Sequence, residues 1–123
     1  MILPIVAYGS NVLKVKAAAL DTEGTNLEKL ITDMWETMYN ANGVGLAAPQ
    51  IGESIRLFVI DASPFAQDEE LNPKEAEVLK DFKQVFINPI MIAENGKEWE
   101  FTEGCLSIPT IREDVSRKEE ITI

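Results

Sequence analysis

Two separated stretches of the sequence combine residue types that can do chemistry. The first, Gly43-Val-Gly-Leu-Ala-Ala-Pro-Gln50, strips the backbone nearly bare ahead of an amide side chain, which a segment needs when another backbone must lie against it. The second, Glu103-Gly-Cys-Leu-Ser107, places the sole cysteine between a glycine and a leucine. A closely approachable backbone and a lone thiolate point to a site that holds an extended peptide beside a metal. Each stretch also has a plainer reading. A lone cysteine is most often a small buried hydrophobe, a glycine pair is most often a tight turn, and a single glutamine usually sits idle at the surface. A third reading makes Cys105 a covalent nucleophile, but such a thiol needs a neighbouring base such as histidine, and the sequence contains none.

The elements that must position these residues follow from periodicity. Residues 1–20 alternate short apolar runs with Pro4 and Gly9 and read as an extended arm laid over the domain. Thr25 and Glu28 have the spacing of a capping box. Leu27, Leu30, Ile31, Met34, Trp35, Met38 and Ala41 then recur at helical spacing, predicting a helix over Thr25–Ala41 on the flank of the domain, stopped at Asn42-Gly43. Ile55–Asp61 reads as a mostly buried strand. Ser63–Asp81, with its prolines and Asp68-Glu-Glu70, reads as a surface excursion with a helical turn near Lys74–Leu79. Val85–Ile92 predicts a second strand, placed at an edge or bulge by Pro89. Asn95-Gly96 is a hairpin signal, beyond which Trp99 and Phe101 share a face and are expected to seal the core. Glu120–Ile123 looks like a strand that begins and stops, which hints at further residues.

A chain of 123 residues suits one domain, and one cysteine excludes an intrachain disulfide, so a reducing cytoplasm is the expected compartment. No run reaches the length of a membrane span. The net charge of −10 opposes direct binding to nucleic-acid phosphates.

The two chemical stretches, as Gly43-x-Gly45-Leu-Ala-Ala-x-Gln50 and Glu103-Gly104-Cys105-Leu106-Ser107, resemble the first two signature motifs of the peptide deformylases. These are metallohydrolases that remove the formyl group from the N-terminal methionine of new bacterial proteins. The resemblance continues through Ile2–Gly9, Phe86-Ile-Asn-Pro89 and Ser107-Ile-Pro109, covering nearly the whole chain. The family's third motif, His-Glu-x-x-His on a helix, has no counterpart in these 123 residues.

The resemblance implies an α+β fold of antiparallel strands around helices, forming one domain over residues 1–123 that lacks the C-terminal metal-binding helix. It implies that Cys105 is the thiolate ligand of a divalent metal, Fe2+ in preference with Zn2+ or Ni2+ able to substitute, whose other ligands are the two histidines of the third motif. Gln50 through its side-chain amide and Leu106 through its backbone N–H would donate to the formyl oxygen as charge develops there. Gly43, Val44, Gly45 and Gly104 would line a groove that takes the peptide as an added strand. Arg112 would contact substrate, although an ordinary surface arginine explains it equally well. Glu103 and Arg117 would pair to brace the ligand loop. Ser116-Arg117-Lys118 departs from the family's frequent Pro-Arg-Pro.

The implied partners are N-formylmethionyl peptides or nascent chains near the ribosome, with no nucleic acid and no membrane. Without the histidines and the glutamate of the third motif, the chain as written is expected to be inactive and to hold no catalytic metal. Three explanations of the gap stay open: a sequence that omits a C-terminal segment, a truncated gene product without enzymatic role, or a module that binds peptides or takes the missing helix from a partner chain.

Overall fold

The computed structural model of the protein describes residues 1–23 and 26–123, and at Pro109 and Thr110 the backbone alone. Helix α1 spans Leu27–Asn40. Its inner stripe places Met34 and Met38 wholly out of solvent, with Leu27, Leu30, Ile31 and Trp35 packed around them. Asn26 caps the helix, its side chain accepting from the Lys29 N–H. The helix therefore starts two residues later and ends one residue earlier than periodicity predicts, and the proposed capping residue Thr25 lies outside the described residues. At the far end Asn42, not Gly43, takes the left-handed conformation, at φ 56°, while the Gly43 N–H donates back to the Met38 carbonyl.

Three antiparallel strands lie in the order β1 (Gly45–Ala47), β2 (Leu57–Asp61), β3 (Lys83–Ile87). Alternation along β2 buries Leu57 and Val59 in the core shared with Met34, Met38 and Leu46, and turns Phe58 to stack on Phe86 with ring centroids 4.6 Å apart. β2 is shorter than predicted because Ile55 instead bridges in parallel to Ala18 of the arm. β3 starts at Lys83 and breaks at Asn88, where φ reaches 52°. That turn aims the Asn88 amide at Leu20, accepting from its N–H at 2.6 Å and donating to its carbonyl at 3.0 Å. Residues 90–92 are consequently outside the sheet.

The arm is extended over its first seven residues, as predicted, but a turn at Tyr8–Gly9 and a 3₁₀ helix at Asn11–Leu13 interrupt it, and it is tied at several points. The Leu3 N–H donates to the buried Thr37 hydroxyl, Val6 N–H to the Gln50 carbonyl at 2.7 Å, and Tyr8 N–H to the Ser107 carbonyl at 2.9 Å. Between β2 and β3 the excursion carries a 3₁₀ turn at Ser63–Gln67 and helix α2 (Pro73–Leu79), capped by the Asn72 side chain.

Strands β4 (Ala93–Cys105) and β5 (Ile108–Thr122) form a separate two-stranded hairpin. Here Asn95-Gly96 is not the turn. Asn95 faces Glu120 and Glu98 faces Lys118, so one extra residue sits on β4, and Gly96 absorbs it at φ 86°. The segments on both sides of the dipeptide find partners on the same strand, which makes it a bulge. Trp99 and Phe101 share a face as predicted, their rings 5.4 Å apart, but Trp99 is 49% exposed and seals no core. Glu120, Ile121 and Thr122, predicted to begin a strand, pair with Asn95, Glu94 and Ala93 at the end of β5. No helix among the described residues is long and apolar enough to cross a membrane.

Candidate active site

The hairpin meets the body of the domain at its tip. Leu106 and Ser107 form the two-residue turn between β4 and β5, closed by Cys105 facing Ile108. N–H groups inside such a turn lie outside the strand ladder, so Leu106 N–H is not engaged in the pairing of β4 with β5. Leu106 packs on the core, and Ser107 is 4% exposed. Gly43 lies directly beneath Leu106: a Cβ built on it would come within 2.7 Å of Leu106 Cδ1. Gly43 thus serves side-chain packing here rather than an unusual backbone angle.

Gln50 sits in a 3₁₀ turn at Ala48–Ile51, led by Pro49. Its Oε1 accepts from the Ala47 N–H at 3.0 Å, which forces the amino end to the other side. Nε2 donates to Ser107 Oγ at 3.2 Å and reaches Cys105 Sγ at 3.6 Å. The two chemical stretches therefore touch through this one amide. Ser107 is the contributor that motif reasoning passes over. Its hydroxyl steadies Gln50, and the sign available in the sequence is only its place at the end of Glu103–Ser107.

β1 is an edge strand, and its pairing decides which main-chain groups are open. Asp61 N–H donates to the Val44 carbonyl at 2.8 Å, so in an antiparallel pair the alternate residues Gly45 and Ala47 turn their polar groups away from β2. Ala47 N–H meets Gln50; Gly45 stands next along the same open edge. Val44 has its carbonyl engaged and lines the site instead. Beside this edge, an open cleft of about 750 Å³ is lined by Val44, Gly45 and Gln50 together with Glu103, Gly104 and Cys105 of β4.

Gly104 faces Arg112 while Cys105 already faces Ile108, so residues 109–111 bulge out of β5. The bulge carries Arg112 to the cleft, its Nη1 3.1 Å from where a Gly104 Cβ would stand. Arg117 grips Glu103 with two bonds, Nε to Oε2 at 2.9 Å and Nη2 to Oε1 at 2.8 Å. The Arg117 guanidinium holds Glu103 below its ordinary value, and Glu103 in turn raises Arg117. A carboxyl with a lowered folded value stabilises the fold fully above its unfolded value, near 4.5, and loses that contribution as pH falls through the folded value. The urea midpoint of the protein is thus expected to exceed that of Glu103→Gln at pH 7 by a margin that closes on acidification below that value. A margin independent of pH would show that the pair carries no such coupling.

The donor chemistry around Cys105 can be tested against the divalent metal that the motifs imply. Cys105 is exposed and supplies one sulfur. Among the described residues no three side chains of metal-ligating type cluster, and the sequence has no histidine. A tetrahedral catalytic centre needs three protein ligands. The residues present fit one ligand position of that set and do not complete it.

Comparison with known proteins fits the geometry. The sequence pattern of the polypeptide deformylase family matches residues 2–123. A peptide deformylase of Christiangramia forsetii is 61% identical over 123 residues, which are 100% of this chain and 63% of that protein. The chain thus spans less than two thirds of the length of this relative. Among solved structures, peptide deformylase from Thermotoga maritima superposes with a TM-score of 0.80 at 33% identity, covering 98% of this chain and 71% of that one. A Met-Ala-Ser-bound class I type b peptide deformylase from Acinetobacter baumannii gives a TM-score of 0.78 at 30% identity, covering 98% and 74%. With a matching family pattern over nearly its whole length and a fold shared with solved members, the chain belongs to the peptide deformylase family.

Proposed function

We propose that this chain carries the peptide-holding and charge-stabilising part of a hydrolase that removes the formyl group from N-terminal formylmethionine. The observation that carries this reading is the orientation of Gln50: its oxygen is pinned by Ala47 N–H, so its amino group projects to Cys105 beside the open edge at Gly45. A formylmethionyl peptide adds to that edge as a strand, bonded through the main chain of Gly45 and Gly104, which explains how one site accepts many sequences. Gln50 Nε2 and Leu106 N–H then donate to the formyl oxygen as it gains charge. The Met-Ala-Ser tripeptide bound by the Acinetobacter baumannii enzyme supports a substrate that begins with methionine. Arg112 faces the downstream peptide, and the Glu103–Arg117 pair braces the strand that bears Cys105.

Cys105 serves as a thiolate ligand of a divalent metal, Fe2+ in preference, once two further ligands and a base come from residues beyond these 123. The 123 residues alone bind peptide without hydrolysing it. Substrates arise at the ribosome in the cytoplasm, and neither nucleic acid nor membrane is engaged. A second reading, a peptide-binding relative or one completed by a partner chain, rests on the cleft beside the open edge of β1, which can hold a peptide without a metal.

The test measures release of formate from formyl-Met-Ala-Ser in the presence of ferrous or nickel ion. The 123-residue chain is compared with a version completed by the remaining sequence of the Christiangramia forsetii relative. Turnover only in the completed protein supports the first reading. Turnover by the 123 residues alone would refute the stated division of labour, and tight binding with no turnover in either would favour the second.

A further inference from the structure

Asp61 stands at the last rung of two pairings. It is the final residue of β2 and faces Lys83 at the start of β3. Its N–H donates at 2.8 Å to the Val44 carbonyl, one residue before the Gly45–Ile60 pair with which β1 begins. The end of a ladder opens first, because the bonds there have neighbours on one side only. The rung most prone to open is therefore the one beside Gly45, whose main chain forms the open edge of the cleft.

The side chain of Asp61 closes this end. One carboxylate oxygen accepts from the Ser63 N–H at 2.9 Å, fixing the turn that brings Phe65 to the cleft, and the other accepts from the Tyr39 hydroxyl at 2.6 Å. Tyr39 belongs to the last turn of α1, its ring stacked on Trp35 with centroids 5.8 Å apart and the Lys83 ammonium 5.5 Å from its own. Its carbonyl accepts from the Asn42 N–H at 3.1 Å, at the residue with φ 56°. Residues 41–45 line the cleft, and Tyr39 ties both ends of that passage, one through its carbonyl and the other through Asp61. Bonds from Ser63 and Tyr39 hold the Asp61 carboxyl below its ordinary value, and partial burial together with Asp61 pushes the Tyr39 hydroxyl up to about 12. At neutral pH a neutral hydroxyl thus donates to a charged acceptor, which makes the bond a strong one.

We propose that Tyr39 and Asp61 are a positioning pair that fixes the peptide-bearing edge at Val44 and Gly45, so that binding of a peptide main chain depends on a hydroxyl outside the cleft. This rests on the cleft being a formyl-peptide site. Neither residue is among the described residues that line the cleft, so both act through the main chain of β1. A peptide that adds to an edge strand bonds to groups already held in strand geometry. An edge that opens part of the time binds with an affinity reduced by the fraction of time it is closed. Gln50, by contrast, is held by Ala47, Ser107 and Val6, through bonds that do not involve the pair. Loss of the clamp therefore falls on binding and spares the donor that stabilises charge.

The test is equilibrium binding of formyl-Met-Ala-Ser to the 123-residue chain and to its Tyr39→Phe, Asp61→Ala and Asp61→Asn variants, with the urea midpoint of each measured alongside. Tyr39→Phe removes one oxygen and keeps the ring on Trp35, so the fold is retained; circular dichroism checks this. It is expected to weaken binding about fivefold, in line with the loss of one hydrogen bond to a charged group. Asp61→Ala should weaken binding about tenfold, and Tyr39→Phe made in Asp61→Ala should add nothing, because the hydroxyl acts through the carboxylate. Asp61→Asn keeps an oxygen for Ser63 N–H and an amino group that donates to the Tyr39 oxygen, and should stay within about twofold of the parent. In the protein completed by the remaining sequence, Tyr39→Phe should raise KM by the same factor while kcat holds; a fall in kcat alone overturns the proposal. Unchanged affinity in Tyr39→Phe, whatever its urea midpoint, marks a structural bond only, which overturns the positioning role and leaves the peptide site standing. Equal losses in Asp61→Asn and Asp61→Ala, or additive losses in the double variant, also overturn it. A parent chain that binds no peptide overturns it together with the reading it rests on.

Discussion

Replacing Gln50 with leucine is expected to lower kcat for formyl-peptide hydrolysis by about 10²- to 10³-fold in a metal-loaded protein that carries the complete ligand set, while KM changes only a few-fold. The asymmetry follows from timing. A neutral formyl oxygen gains little from the Gln50 amide, and an oxyanion gains much, so the loss falls on the transition state. Leucine keeps the bulk and removes only the polar end. The Ala47 N–H that Gln50 Oε1 now satisfies lies on the open edge of β1, where water can replace the lost acceptor, so folding should be little affected. Steady-state kinetics with formyl-Met-Ala-Ser check it. A rise in KM at constant kcat would mean that Gln50 only holds substrate, and no change at all would remove it from the site. Ser107→Ala provides a graded companion: it frees the Gln50 amino group without deleting it, and a smaller fall in kcat is expected.

The second large effect concerns the core under the site. Met38→Ala should cost about 2–5 kcal/mol of stability, read from urea denaturation, because a fully buried side chain is lost and the gap cannot collapse freely. Met38 sits where the helix hands over to the peptide edge. Its carbonyl accepts from Gly43 N–H, and its side chain packs with Leu46 and Val59. Met38→Leu, close in volume, should cost less than about 1.5 kcal/mol. Val78→Ala on the exposed face of α2 should stay within about 0.5 kcal/mol. A Met38→Ala loss as small as the Val78→Ala loss would mean that the helix does not carry the core.

Much of this arrangement is legible in the residues. The 3.6-residue stripe from Leu27 to Met38 survives because helix packing needs no distant partner to define its face. The meeting of Gln50 with Cys105 could be expected from the resemblance of the two motifs to a known family, not from any local pattern. What local pattern hides is anything decided by a partner far along the chain. Asn95-Gly96 has the chemistry of a tight turn and of a bulge alike; only the pairing of Glu94 and Glu98 with the same strand selects the bulge. Asn88 breaks β3 to hold Leu20, and Ile55 leaves β2 to meet Ala18, both because the arm returns to them. Trp99 alternates correctly but stands beside the cleft, since period-2 spacing names a shared face without saying what that face meets. Phe65 is invisible as a cleft residue for the same reason.

The N-terminal arm has one more consequence. Val6 N–H holds the carbonyl of Gln50, and Tyr8 N–H holds that of Ser107, two residues further on. The donor amide and the turn that follows the cysteine are thus hung from alternate rungs of a single extended strand, whose repeat is about 6.6 Å. The arm acts as a ruler: it sets the gap between two motifs that sequence keeps far apart. An inserted or deleted residue between Val6 and Tyr8 would leave the core packing in place and change that gap by one half-repeat.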